Sequence, residues 1–297
     1  MPGIKELKTR IKSIGSTRKI TRAMQMVSAA KMRRAQQAAL NSRSYSELAW
    51  QLIRNLSGST ESENPLLKTF PSAQKTAIIV ISSNTGLVGG FNSNLFAKLR
   101  QTENQDIAEL FVMGRKAKDY SVRFNKNLKA DFPKADVWVS IDKIYPLARM
   151  ISDLYQTGEY KAVYIIYNQF ISTLSQKPTV KQLLPFQEPP RPLEISLYDK
   201  VGGESGQNPI LKTEFLFEPS PQLVLNHLLP RIIESQIYQA VLESDAGEHS
   251  ARMVTMKNAT EAAGDLISDL TLTFNQLRQN KITTELAEIT AGKIALE

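Results

Sequence analysis

The apolar residues at the two ends of the chain recur with a helical spacing. In the first turns they lie three and four residues apart, at Ile4, Leu7, Ile11 and Ile14. This spacing is typical of one narrow apolar face on a helix. The spacing breaks near Gly15–Thr17, and the next apolar positions are Ile20, Met24, Val27 and Ala30. We therefore predict a phase slip in an irregular supercoil.

The carboxyl-terminal end carries a second narrow apolar face. Its members are Leu266, Leu270, Phe274 and Leu277, followed by Ile282, Leu286 and Ile289. Proline costs about 3 kcal/mol inside a helix. None occurs in 4–56 or 231–297, whereas twelve of the fourteen prolines lie between Pro65 and Pro221. Both ends are therefore predicted to be long helices, with faces narrow enough for a two-stranded coil.

Between the ends, short apolar runs alternate with helical segments. Strands are predicted at 76–83, 109–114, 136–140 and 162–170, with 178–186 as an edge strand. Helices are predicted at 114–124 and 145–158, and a third opens after the glycine loop 86–90. Alternation of this kind favours a sheet covered by helices, in the α/β class.

The order of these segments predicts the architecture. We expect an α/β domain with a long antiparallel two-helix coiled coil, because two helices joined through a whole domain bring their apolar faces together only when antiparallel. The longer carboxyl-terminal helix then extends beyond its partner, and Pro230 is expected to begin or kink it. The expected parts are a coiled-coil helix at 1–56, a Rossmann-like domain at 57–222 with a Pro/Gly-rich excursion at 187–222, and a coiled-coil helix with an apolar tip at 223–297.

Positive charge is concentrated at the amino terminus. Residues 1–56 hold twelve lysines and arginines against two glutamates, whereas the rest of the chain holds 25 basic and 27 acidic residues. This segment is expected to face a polyanion or an acidic surface. Residues 20–39 lack the interleaved aromatic residues of single-strand binders and the bulky apolar face of membrane-surface helices. A nucleic-acid-binding helix, a solvated basic face and a protein-binding shaft remain open.

The composition excludes several kinds of chemistry. The chain has no cysteine, so it forms no disulfide and has no thiol nucleophile or cysteine-ligated zinc. His227 and His249 lie in no carboxylate cluster, and no metal site or catalytic group is expected. The glycine loop 86–90 lacks the spacing of a phosphate-binding loop, so we expect a tight turn, no cofactor and no nucleotide. A nucleotide-dependent α/β enzyme is the remaining catalytic alternative.

Four separated passages resemble the gamma subunit of the rotary F-type ATP synthase. They are STRKITRAMQMVSAAKMRRAQ from Ser16, SSNTGLVGGFNSNLF from Ser82, IESQIYQAVLES from Ile233, and the stretch from Ala251 that ends in ITTELAEITAG. The resemblance covers nearly the whole chain. It implies a non-catalytic central-stalk rotor whose coil stands inside a ring of alpha and beta subunits. Its globular end would sit on the epsilon subunit and the membrane c-ring, which proton flow turns.

The resemblance also implies contact residues. Contacts with the alpha and beta ring are expected from Met24, Lys31, Arg33 and Arg34. By position, residues that contact the beta subunits or pack against the N-terminal helix in relatives are matched by Arg252, Arg278, Gln279 and Thr283. The apolar tip would consist of Ile282, Leu286, Ile289, Ile294 and Leu296, and the foot of Phe217 and Glu218. Many relatives have cysteine where Val88 stands, and a small residue where Lys293 stands.

The resemblance further implies a location. The amino terminus has no apolar signal region and no transit peptide, and no run approaches the roughly 18 apolar residues of a membrane span. We therefore expect a peripheral protein on the cytoplasmic face of a bacterial plasma membrane. The regulatory cysteine pair of plant chloroplast relatives is absent, which excludes thiol control.

Overall fold

The computed structural model describes residues 3–57, 64–103, 107–135, 140–186 and 218–294. The helices are α1 (Ile4–Ser57), α2 (Phe91–Glu103), α3 (Arg115–Arg123), α4 (Tyr145–Gln156) and α5 (Pro221–Ile294), with short 3-10 turns at Pro65–Leu67 and Ile141–Lys143. The strands are β1 (Lys75–Ile81), β2 (Ile107–Met113), β3 (Leu128–Phe132), β4 (Tyr160–Phe170) and β5 (Gln176–Leu184). The chain forms two compact units, which we name the coil unit (Met1–Ala30 with Arg252–Glu297) and the sheet unit (Lys31–Ala251).

The sheet unit contains one five-stranded sheet in the order β3-β2-β1-β4-β5. The first four strands are parallel, and β5 is antiparallel to β4 at the edge. The central strand β1 is buried from Thr76 to Ile81, as expected for a parallel strand covered on both faces. Its alternate residues enter two cores: Ile79 and Ile81 pack with α4 and the first half of α5, whereas Ile78 and Val80 pack with α2 and α3.

The predicted strands at 76–83, 109–114, 162–170 and 178–186 are confirmed as β1, β2, β4 and β5. The predicted strand 136–140 falls largely on residues 136–139, which lie outside the described residues. The sequence prediction missed β3, whose alternating pattern includes the half-buried Leu128 and Phe132 around the exposed Lys129 and Asp131. At five residues this alternation is too short to stand out from a loop.

Pro230 lies inside α5 and does not begin that helix, so the first of the two alternatives predicted for it, a helix start or a kink, is wrong. The physical reason is tertiary packing. Leu229, Ile232 and Ile233 around the proline are buried in the core formed with β1 and α4. Burying one such side chain is worth about 1.5–3 kcal/mol, so a few of them offset the cost of the lost backbone hydrogen bond.

In the coil unit, α1 and α5 are antiparallel. The Thr21 and Thr260 hydroxyl oxygens lie 2.7 Å apart. The Arg18 guanidinium lies against Gly264, where a methyl group added to the glycine would be 3.5 Å from Cζ. Thr21 on α1 therefore faces Thr260 on α5, and Arg18 faces Gly264. Residue numbers rise along α5 as they fall along α1, so the two helices run in opposite directions. The expected fold, an α/β domain with a long antiparallel two-helix coil, is confirmed.

The predicted phase slip in α1 is wrong, because the spacing of three and four continues through polar residues. After Ile14 the positions that continue it are Arg18, Thr21, Gln25 and Ser28. Ile20 and Val27, which were expected to face the partner helix, are 60 % and 55 % exposed. On α5 the inward positions are Met256, Thr260, Ala263, Ile267, Leu270, Phe274 and Leu277, whereas Leu266 is exposed. A prediction based on hydrophobicity alone therefore assigned the wrong residues to the contact face in the part where that face is polar.

Candidate functional site

The basic residues expected to meet other subunits lie mostly on the surface. Arg33 and Arg34 on α1 are exposed, and Lys31 is half-buried. Arg34 lines a cavity of about 560 Å³ between α1 and α5 of the sheet unit, together with Gln37 and Tyr238. The guanidinium groups of Arg33 and Arg34 thus lie where an acidic surface could reach them.

The residues expected to make ring contacts from the coil unit differ in exposure. Arg278, Gln279 and Thr283 are exposed, and the Thr283 hydroxyl donates a 2.9 Å hydrogen bond to the Gln279 carbonyl within the helix. Met24 is half-buried. Arg252 is only 8 % exposed, so it offers little surface to a second chain.

The end of α5 extends past its helical partner. Facing residues of the two helices have numbers that add to about 281, so the first residue of α1, Ile4, lies level with Leu277. Beyond that level, every residue from Arg278 to Ala291 is exposed. The expected tip residues Ile282, Leu286 and Ile289 are 49 %, 59 % and 70 % exposed and lie on one helical face. Helix α5 ends at Ile294, and Leu296 lies outside the described residues.

The expected foot is described only in part. Phe217 lies outside the described residues, whereas Glu218 is exposed immediately before α5. Glu218 lines a groove of about 550 Å³ with His227 and Arg231 in the first turns of that helix. Glu218, His227 and Arg231 are the charged or polar residues in the lining of this groove.

The glycine loop turns the chain from β1 into α2. Leu87 and Gly89 have positive φ values of 61° and 55°, and Val88 is buried. The loop is closed by Asn92, which accepts a 3.2 Å hydrogen bond from the Ser83 amide and donates a 2.7 Å bond to the Ser83 hydroxyl. These features fit the expected tight turn.

A buried ionic cluster joins the sheet to α5, and sequence reasoning missed it. The Lys134 ammonium group lies 2.7 Å from Asp245 Oδ1, 2.7 Å from Glu248 Oε2 and 3.0 Å from the Ser82 carbonyl oxygen. Burial alone would lower the pKa of Lys134, but the carboxylates of Asp245 and Glu248 raise it above the ordinary lysine value. This lysine is therefore charged in the folded chain.

A weak sequence signal for this cluster existed. The stretch SDAGEHSA from Ser244 carries small residues and two carboxylates three positions apart within a long helix. Small residues allow close approach of a helix, and the spacing places both carboxylates on one face. Lys134, however, is more than 100 residues away along the chain, and no local pattern joins it to them. Among the described residues, no group of three histidines or carboxylates could hold a metal ion. None of the described helices has an apolar stretch that could cross a bilayer.

Comparison with known proteins defines first the class and then the particular family. A family model described as ATP synthase matches residues 3–296, nearly the whole chain. The ATP synthase gamma chain of Pelotomaculum thermopropionicum is 42 % identical over 299 residues, covering 100 % of both chains. That of Haemophilus influenzae is 41 % identical over 302 residues with the same coverage. The chain therefore belongs to the ATP synthase gamma chain family.

Solved structures share the fold. The rotor of the Euglena gracilis mitochondrial ATP synthase matches with a TM-score of 0.63 at 18 % identity, covering 94 % of this chain and 98 % of that one. The Tetrahymena thermophila mitochondrial central stalk and c-ring structure contains a chain that matches with a TM-score of 0.57 at 24 % identity, covering 81 % and 99 %. The resemblance inferred from the four sequence passages is thereby confirmed.

Proposed function

We propose that this chain is the central-stalk rotor of a proton-driven F-type ATP synthase. It would couple rotation of the membrane c-ring to conformational change at catalytic sites on the beta subunits, and it would carry out no chemistry itself. The observation that carries the proposal is the unequal coil, in which α5 continues past its paired part with every residue from Arg278 to Ala291 exposed. A single unpaired helix with an apolar face requires a surrounding partner.

The asymmetry of the coil supplies the mechanism. Two antiparallel helices present a different surface in each direction around their axis. A ring of three catalytic sites would therefore meet three different surfaces at any moment. Each orientation then favours a different conformation at each site, which is the free-energy coupling that rotation requires.

The three expected segments have separate roles in this proposal. The helical segments 1–56 and 223–297 form the shaft, and the segment 57–222 carries the foot. Met24, Lys31, Arg33, Arg34, Arg278, Gln279 and Thr283 face the alpha and beta subunits, whereas Arg252, which is only 8 % exposed, adds little to that surface. The tip, formed by Ile282, Leu286, Ile289, Ile294 and Leu296, turns in an apolar bearing.

For the foot, we propose that Phe217 and Glu218 meet the epsilon subunit or the c-ring. The exposed Glu218 at a polar groove supports this role. We further propose a place on the cytoplasmic face of a bacterial plasma membrane, as a peripheral protein without bound nucleotide or nucleic acid. The bacterial origin of the relatives supports the bacterial setting.

Reconstitution tests the proposal. The isolated chain is expected to hydrolyse no ATP and to bind no nucleotide in calorimetry. Mixed with alpha and beta subunits it should support hydrolysis, and with the membrane sector it should support proton-driven synthesis. Tight nucleotide binding by the isolated chain, or steep salt-dependent binding to duplex DNA, would contradict the proposal.

Charge reversal of Arg33 and Arg34 together tests the basic contact surface. Because both side chains are exposed, the double change to glutamate should leave the unfolding temperature of the chain unchanged. Assembly with alpha and beta subunits, or coupled synthesis, should weaken. Arg100→Glu with Arg123→Glu makes the same charge change at exposed positions of the sheet unit and serves as the control. Proton-driven synthesis equal to that of the unmodified chain would contradict the assignment of Arg33 and Arg34.

A further inference from the structure

The carboxyl edge of the sheet is where open α/β folds usually bind a ligand. In such folds the ligand lies outside the carboxyl ends of the strands, where the strand order reverses. In the sheet unit the order reverses at β1, which has β2 on one side and β4 on the other. The segments after β1, β3 and β4 meet at this edge, and helix α5 contacts all three.

Three kinds of contact hold α5 at this edge. After β3, Lys134 forms its two 2.7 Å ion pairs with Asp245 and Glu248. After β4, the Thr173 carbonyl accepts a 2.6 Å hydrogen bond from the Ser250 hydroxyl. After β1, the ring of Phe91 lies so close to Gly247 that an added methyl group would be 3.3 Å from Cε2. We call these contacts the helix socket.

The socket is rigidly built on the side of the sheet. The Asn84 amide nitrogen donates to the Lys134 carbonyl at 2.8 Å, and the Asn168 amide nitrogen donates to the Phe91 carbonyl at 3.0 Å. Asn168 is 1 % exposed. These bonds hold the backbone at Lys134 and Phe91, the two residues whose side chains contact α5.

Within the socket α5 is enclosed on all sides. Every residue from Ala240 to Ser250 is buried except Glu243 and Asp245, which are half-buried. A helix that only covers a sheet keeps one exposed polar face. Four polar residues of this segment, Ser244, Glu248, His249 and Ser250, are at most 9 % exposed. This segment of α5 is therefore buried around its whole circumference, whereas a helix that only covers a sheet is held from one side.

The ion pairs of Lys134 with Asp245 and Glu248 fix the rotation of α5 about its own axis as well as its position. Successive residues of a helix are about 100° apart around its axis. If α5 turned by one residue, Asp245 and Glu248 would point away from Lys134, which would leave a buried charge without its partners. Apolar contacts alone are not directional and would oppose such a turn far less.

We propose that the helix socket is the point at which torque passes between the sheet and α5, with Lys134 as the positioning residue that sets the angle. This inference rests on the proposed rotor function. In many α/β folds the crevice at this edge of the sheet binds a ligand. Here the chain's own helix α5 occupies the crevice, and the proposed role of the crevice is to transmit force. The socket ends at Ser250, just before α5 enters the coil unit at Arg252.

The test compares rotation with and without a load. When the soluble complex with alpha and beta subunits hydrolyses ATP, the shaft turns against no load. Hydrolysis therefore does not require the helix socket to transmit torque. ATP-driven proton pumping by the full enzyme in vesicles does require one, because torque must reach the membrane. Lys134→Met should leave soluble hydrolysis unchanged and lower the protons pumped per ATP by about fivefold, a typical size for coupling between sites.

Two further variants complete the design. Lys118→Met removes an exposed ion pair with Asp131 in the same unit and should behave as the unmodified chain. If Lys134→Met fails to fold because two buried carboxylates lose their partner, the triple variant Lys134→Met, Asp245→Asn and Glu248→Gln is used, since it removes all three charges. Its pumping should also fall while hydrolysis persists.

The outcomes separate the socket from the rotor proposal. Pumping equal to that of Lys118→Met in the folded variants would overturn the socket proposal. It would also be overturned if pumping, hydrolysis and the unfolding temperature fell together, since that result indicates an ordinary loss of stability. Failure of the unmodified chain to support pumping would overturn the proposed function itself, before any variant is compared.

Discussion

At the scale of single residues, Glu109 carries a negative charge at the edge of the sheet opposite the helix socket. Its carboxylate accepts a 2.6 Å hydrogen bond from the Tyr160 hydroxyl and lies 2.9 Å from the Lys75 ammonium group and 3.5 Å from that of Lys129. Burial alone would raise the pKa of Glu109, but the hydroxyl and the two lysines hold it below the usual 4.5. The same contact, together with burial, raises the pKa of Tyr160.

This cluster predicts a pH dependence of stability. A carboxyl group with a lower pKa in the folded state stabilises the fold fully above its unfolded pKa, near 4.5, and loses that effect as the pH falls through the folded value. The difference in unfolding temperature between the unmodified chain and Glu109→Gln should be constant above that pH and shrink below it. Thermal unfolding followed by circular dichroism measures it. Glu159→Gln removes a more exposed carboxylate of the same cluster and serves as the control. A difference independent of pH would contradict the assignment.

At the scale of elements, the coil is held in its middle by a polar contact. The Thr21 and Thr260 hydroxyl oxygens lie 2.7 Å apart, and either hydroxyl can donate to the other. Each is also within hydrogen-bonding distance of a carbonyl of its own helix, that of Arg18 at 3.1 Å from Thr21 and that of Met256 at 2.7 Å from Thr260. Polar residues in the contact face of a coiled coil can set its register at a cost in stability. The neighbouring Arg18 and Gly264 extend the polar stretch by one turn.

Removing the two threonine hydroxyls, singly and together, should show how much their contact contributes to the stability of the coil. Thr21→Val alone leaves the Thr260 hydroxyl without its contact and should lower the free energy of unfolding by about 1 kcal/mol. The double variant with Thr260→Val replaces both hydroxyls with methyl groups of the same shape and should recover that loss. Denaturant unfolding of the four chains gives the interaction energy. Strict additivity of the two single changes would show that the threonines do not interact.

The elements also show how far sequence reasoning reaches. Strong local signals were sufficient for β1, β2 and β4, since buried parallel strands read as continuous apolar runs. The strand β3 was missed because five alternating residues carry little signal. The coil was predicted from its apolar ends, but its middle was misread, since Thr21 and Ser28 take positions that an apolar rule assigns to Ile20 and Val27. The packing of α1 against α5 determines which residues occupy those contact positions.

At the scale of the whole molecule, the site residues divide in the same way. The family resemblance predicted contacts from Arg33, Arg34 and Arg278; these side chains are exposed, and their contacts with other subunits stay predictions. The socket could not be found, because Lys134 and Asp245 come together only when the sheet and α5 have folded. A lysine in a loop and a carboxylate in a distant helix carry no shared pattern along the chain. Long-range ion pairs therefore require the structure.

The distribution of charge over the whole chain predicts how it finds its partners. The first 56 residues carry an excess of ten positive charges, and the remainder is nearly neutral. Such a charged segment attracts an acidic partner from a distance and speeds association. Salt shortens the range of that attraction, from about 10 Å at 0.1 M to about 3 Å at 1 M ionic strength. The association rate with alpha and beta subunits should therefore fall by roughly tenfold over that range.

Stopped-flow measurement of assembly at several salt concentrations tests this expectation. The chain with Arg33→Glu and Arg34→Glu should associate more slowly at low salt and depend less on salt, because four units of favourable charge are lost. The variant with Arg100→Glu and Arg123→Glu has the same net charge, and its slope should stay closer to that of the unmodified chain. Equal slopes for the two variants would mean that net charge alone matters, and that the amino-terminal segment has no special part in steering.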